Sequence, residues 1–168
     1  SKLFTTTSGT WTRYTWRRQE RSMKTLRTFA DRMRKQGSRL LQFGTEHRRR
    51  IGLAVLTELA MTTPVDEGTA RSNWNVALGD SADGPTPAHV PGKGGSTGAA
   101  NTRAAIAAGT AVIDRTKFWQ DIYITNNLPY IAKLNEGSSS QAPAGFVQTA
   151  VHNGIKVAQH ASGSGGKK

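Results

Sequence analysis

Four histidines, at 47, 89, 152 and 160, are the side chains of this chain best suited to metal ligation or proton transfer. Their spacing argues against both: His152 and His160 stand eight apart with no acidic residue between them. Asp66 and Glu67 are adjacent, so their side chains diverge instead of sharing a site as a catalytic carboxylate pair does. The segment Pro-Gly-Lys-Gly-Gly-Ser-Thr-Gly, residues 91–98, has the glycines and lysine of a phosphate loop. Lys93, however, is followed by Gly94 where that motif needs Ser or Thr, Pro87 stands where a glycine belongs, and no hydrophobic strand leads in. Neither a nucleophile elbow nor an Asp…Glu-x-Lys nuclease pattern is read in the chain. The absence of cysteine removes thiolate metal sites and disulfides, which suits assembly in a reducing cytoplasm. The expectation is no catalytic, cofactor-binding or metal-binding residue, and a protein that is not an enzyme.

What remains is surface chemistry, and it is concentrated near the start. Residues 1–50 carry 14 Lys and Arg against 3 acids, while residues 51–168 carry 9 against 8, so nearly all of the net +12 lies in the first third. That third expects an acidic counterpart: nucleic acid, an acidic protein ring or a membrane surface. In residues 1–22, Trp11, Tyr14 and Trp16 interleave with Arg13, Arg17 and Arg18, types that stack on bases or press into a protein neighbour. No helical period is visible there, and Thr, Ser and Gly dominate the start, so an extended, partner-binding arm is expected. No run approaches 18 apolar residues, which predicts no membrane span, and no apolar block follows the first charges, which predicts no secretion signal.

The elements that would position these residues follow from periodicity. From residue 23 to 62, Leu26, Phe29, Met33, Leu40, Phe43, His47, Ile51, Val55 and Leu59 recur at gaps of three, four or seven, the mark of an amphipathic helix. Thr63-Pro64 ends it. Such a helix would be about 60 Å long, against a radius of gyration of about 15 Å for a compact domain of this length. Either it breaks near Gly37 or Gly44, or it lies along neighbouring copies. Arg32, Arg34, Arg39, Arg48, Arg49 and Arg50 surround the stripe, and His47 is expected to be packed or half-buried. Pro-Val-Asp-Glu-Gly, residues 64–68, is turn chemistry, with Asp66 capping the backbone two residues on and Gly68 taking positive φ. A strand over 70–78 follows, placing Ser72, Trp74, Val76 and Leu78 on one face, with Arg71 able to pair with Asp66 or Glu67 as an exposed clip.

Residues 79–99 hold six glycines and three prolines, a long loop expected to be flexible alone. The alanine-rich stretch from Asn101, read as a cap, to about Val112 is a short helix or a half-buried connector through Ile106, Val112 and Ile113, and Phe118 to Ile124 alternates as a strand. Asn126 and Asn127 end that strand, Pro129 opens a short helix to about Glu136 with Tyr130, Ile131 and Leu134 on one face, and Gly137 stops it with positive φ. After Ser-Ser-Ser-Gln-Ala, Pro143 restarts a helix whose inner face is Phe146, Val147, Ala150, Val151 and Ile155. Residues 161–168 read as a low-complexity tail.

Two stretches together carry a family resemblance. Thr63-Pro-Val-Asp-Glu-Gly-Thr-Ala-Arg-Ser-Asn-Trp74 after a long helix, and Ile124-Thr-Asn-Asn-Leu-Pro-Tyr-Ile-Ala-Lys-Leu-Asn-Glu-Gly137 followed by Gln141-Ala-Pro-Ala-Gly-Phe-Val147, resemble the neck or tail-completion proteins of tailed bacteriophages. In that family the first stretch looks like Pro-Val-Asp-Thr-Gly-x-x-Arg-x-Ser-Trp and the second like Asn-Asn-x-Pro-Tyr-Ala-x-x-Leu-Glu-x-Gly. Here Glu67 replaces the Thr, Asn73 sits between Ser72 and Trp74, Ile131 replaces the Ala, and Asn135 precedes Glu136. The resemblance covers residues 25–160 and leaves the arm outside; its motif residues are Pro64, Asp66, Gly68, Arg71, Trp74, Asn126, Asn127, Pro129, Tyr130 and Gly137. It implies an α+β domain over 23–160, a long N-terminal helix packed on a curved antiparallel sheet, that forms a homo-oligomeric ring. The implied partners are head connector or portal-side proteins, tail terminator or tail tube proteins, and genomic DNA in the channel, with no membrane. The implied location is the virion neck, after assembly in the bacterial cytoplasm. A terminator ring capping the tail tube, and a non-specific nucleic-acid-binding protein using the basic third, are the alternatives.

Overall fold

The computed structural model describes residues 8–163, with side chains over 23–161. The chain mixes helix and sheet in the order α1 (Ser8–Thr62), α2 (Thr69–Ser72), β1 (Asn75–Leu78), α3 (Gly98–Ile113), β2 (Ile122–Thr125), α4 (Ile131–Asn135) and α5 (Phe146–Gly163). It divides into two compact units, one running to Gln42 and one from Phe43 onwards. Among the described residues no helix is long and apolar enough to cross a membrane.

Helix α1 begins at Ser8, which corrects the expected arm, and it runs without a break through Gly37 and Gly44, a point the sequence left open. The backbone of residues 8–22 is helical and not an extended arm. No proline occurs before Pro64, and the run Arg17-Arg18-Gln19-Glu20-Arg21 consists of good helix formers. Extending an existing helix needs no new nucleus, so an apolar period is not required. The predicted stop is found: the Thr63 amide donates to the Leu59 carbonyl at 3.1 Å and Pro64 ends the ladder.

The second unit holds the core. Val55, Leu56, Leu59 and Ala60 of α1 pack with Trp74, Ile113, Phe146 and Ala150, and Val76, Ile122 and Ile124 of the sheet close over them. The sheet is a two-stranded antiparallel pair with Val76 opposite Ile124 and Leu78 opposite Ile122. Of the predicted inner face of α5, Phe146 and Ala150 are buried and Val147, Val151 and Ile155 are packed against the core. The Trp74 indole donates to the Thr63 hydroxyl at 2.8 Å, and that hydroxyl donates to the Leu59 carbonyl at 2.6 Å, tying the tryptophan to the end of α1.

Both strands are shorter than expected, for identifiable reasons. Residues 69–72 form a helical turn after Gly68 at φ 85°, so the first strand starts only at Asn75. Residues 118–121 turn because Arg48 takes the carbonyls of Lys117, Phe118 and Gln120, groups that a strand ladder would use. Helix α4 starts at Ile131, with Tyr130 as its cap and not its inner face, and Gly137 has the expected positive φ of 93°. Helix α5 starts at Phe146, three residues after Pro143, because the Asn135 side chain accepts from the Val147 amide at 3.0 Å and caps it from α4. Helix α5 also takes in Ala161–Gly163 of the expected tail.

Helices α1 and α5 approach closely at Gly154, where an added Cβ would lie 2.6 Å from the Val55 Cα and 2.7 Å from its amide nitrogen. Both near atoms are backbone, so the helices themselves would have to part. Gly-to-Ala in a free helix gains about 1 kcal/mol; here Gly154→Ala is expected to lower stability by about 1–3 kcal/mol, read as a fall in the urea midpoint. A rise would show that the two helices do not touch there.

Candidate functional site

The two motif stretches, far apart in sequence, meet in the second unit. The Gln141 carboxamide brackets Val65, accepting from its amide and donating to its carbonyl, both at 2.9 Å. Asn126 donates to the Ala70 carbonyl at 2.9 Å. Between them lies a cleft of about 320 Å³, with Asp66 and Glu67 on one side and Tyr130 and Leu134 on the other. Burial, with a smaller contribution from Glu67, raises the Tyr130 phenol above its ordinary pKa.

Arg71 does not pair with Asp66 or Glu67. Its Nε donates to the Thr63 carbonyl at 2.7 Å and its terminal nitrogen to the Thr102 hydroxyl at 3.1 Å, while burial lowers its pKa. Asp66 likewise does not cap its own turn: its carboxylate accepts from the Gly94 amide at 3.0 Å and its carbonyl from the Gly95 amide at 2.8 Å. Both residues therefore fasten distant chain to the turn.

The long loop is fastened at further points. Asn73 accepts from the Thr86 amide and donates to its carbonyl, both at 2.6 Å, and Asn127 donates to the carbonyls of Ala82 at 2.6 Å and Gly84 at 3.2 Å. Asn101 is a fully buried hub and not the cap of α3, a place taken by Thr97. Its Oδ1 accepts from the Ser72 hydroxyl and the Val90 amide, both at 2.8 Å, and its Nδ2 donates to the Val90 carbonyl at 2.8 Å and to the Thr97 carbonyl at 3.1 Å. A Cβ at Gly68 would collide with this carboxamide, so Gly68 is needed both for its φ of 85° and for Asn101. The loop expected to be flexible is thus pinned by side chains from 66, 73, 101 and 127. Neither Asn126 nor Asn127 takes a left-handed backbone angle.

Among the described residues no three His, Cys, Asp or Glu side chains come together. The segment Gly94-Gly95-Ser96-Thr97-Gly98 does spell the Gly-x-Ser-x-Gly pattern, which the sequence reading passed over. It forms a turn into α3 with no strand before it, and no hydrogen bond joins the Ser96 hydroxyl to the His89 ring.

The arginines of α1 divide into two groups. Arg48 and Arg49 are structural, Arg49 donating to the Thr116 carbonyl at 2.6 Å beside the carbonyls held by Arg48. They are not free basic surface. Arg50 is exposed. His47 is half-buried, as expected, and stacks on Phe43 with centroids 6.2 Å apart. In the first unit Arg32, Arg34 and Arg39 are exposed, and Arg34 meets Asp31 at 3.2 Å on the open surface. There Leu26, Phe29, Met33 and Leu40 are 56–64% exposed, so this part of the predicted core stripe is uncovered. The side chains of Trp11, Arg13, Tyr14, Trp16, Arg17 and Arg18 lie outside the described residues. Sequence periodicity finds the stripe but carries no signal for the loop anchors Asn73 and Asn101.

No family model, curated protein or solved structure matches the chain.

Asn101→Ala leaves the Val90 backbone groups and the Ser72 hydroxyl without their buried partner. The expected result is a loss of about 1–3 kcal/mol in denaturant titrations, together with new protease cleavage within residues 84–96. Wild-type resistance to cleavage would show that the loop is held without this residue.

Proposed function

We propose that this chain is a structural subunit of the neck of a tailed bacteriophage. In this reading it forms a homo-oligomeric ring that joins the head connector to the tail and leaves a channel for DNA, and it has no active site of its own. The observation that carries the proposal is the uncovered face of α1 in the first unit. Leu26, Met33 and Leu40 recur every seven residues with Phe29 between them, and all are open to solvent. That spacing is the seam of a helix meant to lie against another helix, and large exposed apolar surface of this kind marks an interaction site.

The flanks of the seam define the partner. Residues 23–42 carry Lys24, Arg27, Arg32, Arg34, Lys35 and Arg39 against Asp31 alone. A protein helix with an apolar stripe and acidic edges complements both features, which fits an acidic connector ring above or a tail protein below. The resemblance of residues 63–74 and 124–147 to neck and tail-completion proteins supplies the context. A terminator ring capping the tail tube uses the same surfaces.

Binding to nucleic acid is the second reading, favoured by the basic first unit. Phosphates would neutralise the arginines but would leave the leucines and Phe29 in water, so this reading explains half of the face. Lumen-facing arginines would also slow moving DNA, since each neutralised phosphate adds a salt-dependent hold. Protein contact accounts for the apolar and basic residues together.

The test separates the two. The triple variant Leu26→Ser, Met33→Ser, Leu40→Ser keeps every charge and leaves the second unit intact. In a complementation assay it is expected to lower the yield of tailed, infectious particles at least tenfold while the purified protein keeps its thermal unfolding midpoint. Undiminished yield, or steeply salt-dependent retention on DNA that the variant shares with the wild type, overturns the protein-contact reading.

A further inference from the structure

The second unit presents an apolar groove and, close by, an aromatic pair of the right chemistry to fill one. The groove is open, about 440 Å³, and lined by Ile51 and Val55 of α1, Ile122 and Ile124 of β2, and Val151 and Ile155 of α5, with Arg48 and Asp121 also at its surface. The pair is Phe118 and Trp119, 46% and 64% exposed, packed edge-to-face at 4.8 Å and 87°. Lys117 sits over the Trp119 ring, 5.4 Å from its centroid.

The aromatic pair is held in place by built structure. The Arg48 guanidinium donates to the carbonyls of Lys117, Phe118 and Gln120, and Arg49 donates to that of Thr116. Two cations from α1 thus hold a five-residue turn so that its two large aromatics face water. At 64% exposure, however, the Trp119 ring forgoes most of the burial it could gain within one subunit. Rigid exposed aromatics of this kind are typical anchors of protein contacts.

We infer that the groove of one copy receives the Phe118–Trp119 pair of a second copy of this chain. The charges agree with this occupant. Lys117 stands beside the pair and Asp121 lines the groove, so insertion brings a cation of one copy to a carboxylate of the next. Residues 43–168 carry 12 Lys and Arg against 9 acids, so copies of this unit approach with little net repulsion. The six groove residues are aliphatic, and they offer the ring faces dispersion contact. The inference rests on the ring-forming reading above and assigns it one specific contact.

The experiment uses the purified full chain, with native mass spectrometry and analytical ultracentrifugation over a concentration series. The wild type is expected at multiples of its 18.1 kDa mass. Trp119→Ala is expected to raise the dissociation constant at least tenfold while the thermal unfolding midpoint holds. Lys117→Glu is expected to weaken association, and adding Asp121→Lys to the same chain to restore it, because the ion pair reforms with its signs exchanged. If Trp119→Ala and Lys117→Glu assemble like the wild type, the inference falls while the ring reading stands on another contact. A wild-type chain that is monomeric at every concentration removes both the ring and the contact.

Discussion

A carboxamide removed from water must find partners for both its oxygen and its nitrogen, and the second unit is arranged around one that does. Asn101 is fully buried at the start of α3, and its four principal hydrogen bonds join a helix, the α2 turn and the long loop at a single point. Gly68 leaves room for it, Ser72 is drawn out of the expected strand to meet it, and Val90 gives it both of its backbone groups. In a low-dielectric interior such a network either satisfies every member or destabilises the whole. This accounts for how a segment with six glycines and three prolines holds one course over the surface.

Arginine has three different uses in this chain, and its neighbours decide which. Arg71 is half-buried and ends on a main-chain carbonyl and a threonine hydroxyl, closing the end of α1 onto α3. Arg48 and Arg49 hold the turn before β2, replacing ladder hydrogen bonds with charge-assisted ones. Arg32 and Arg39 stand on exposed helix surface. A rigid planar guanidinium can collect several carbonyls at once, which a lysine ammonium cannot do with the same geometry. The basic character of the first third therefore overstates the free positive surface by the arginines that the fold consumes.

Much of the fold was legible because apolar periodicity marks the one-sided faces of helices and strands. The helical stretch from residue 23 to 62, the inner face of α5 and the stop at Gly137 all follow from spacing and from the steric freedom of glycine. The strand limits did not, because the residues around them are committed to polar partners that spacing cannot show. Phe118 and Trp119 alternate as a strand should, yet Arg48, 70 residues away in sequence, takes the Phe118 carbonyl. Asn101 looked like a helix cap for a good local reason and is a tertiary hub instead. The start of α1 was hidden for the opposite reason: extending an existing helix needs no apolar pattern, only residues that tolerate helical angles. The two motif stretches were found, but their use as anchors for a loop between them became visible only in three dimensions.

Gly37 lies in the middle of the uncovered part of α1, and nothing stands within 4 Å of the place a side chain would occupy. A glycine inside a solvated helix is its weakest link, worth about 1 kcal/mol relative to alanine. Local opening is therefore easier there, as at Gly44, than at an alanine, and a companion helix laid across that stretch would suppress the opening as it binds. If a partner docks there as proposed, recognition and local ordering become one cooperative event, easily reversed while a single contact holds and durable once several act together.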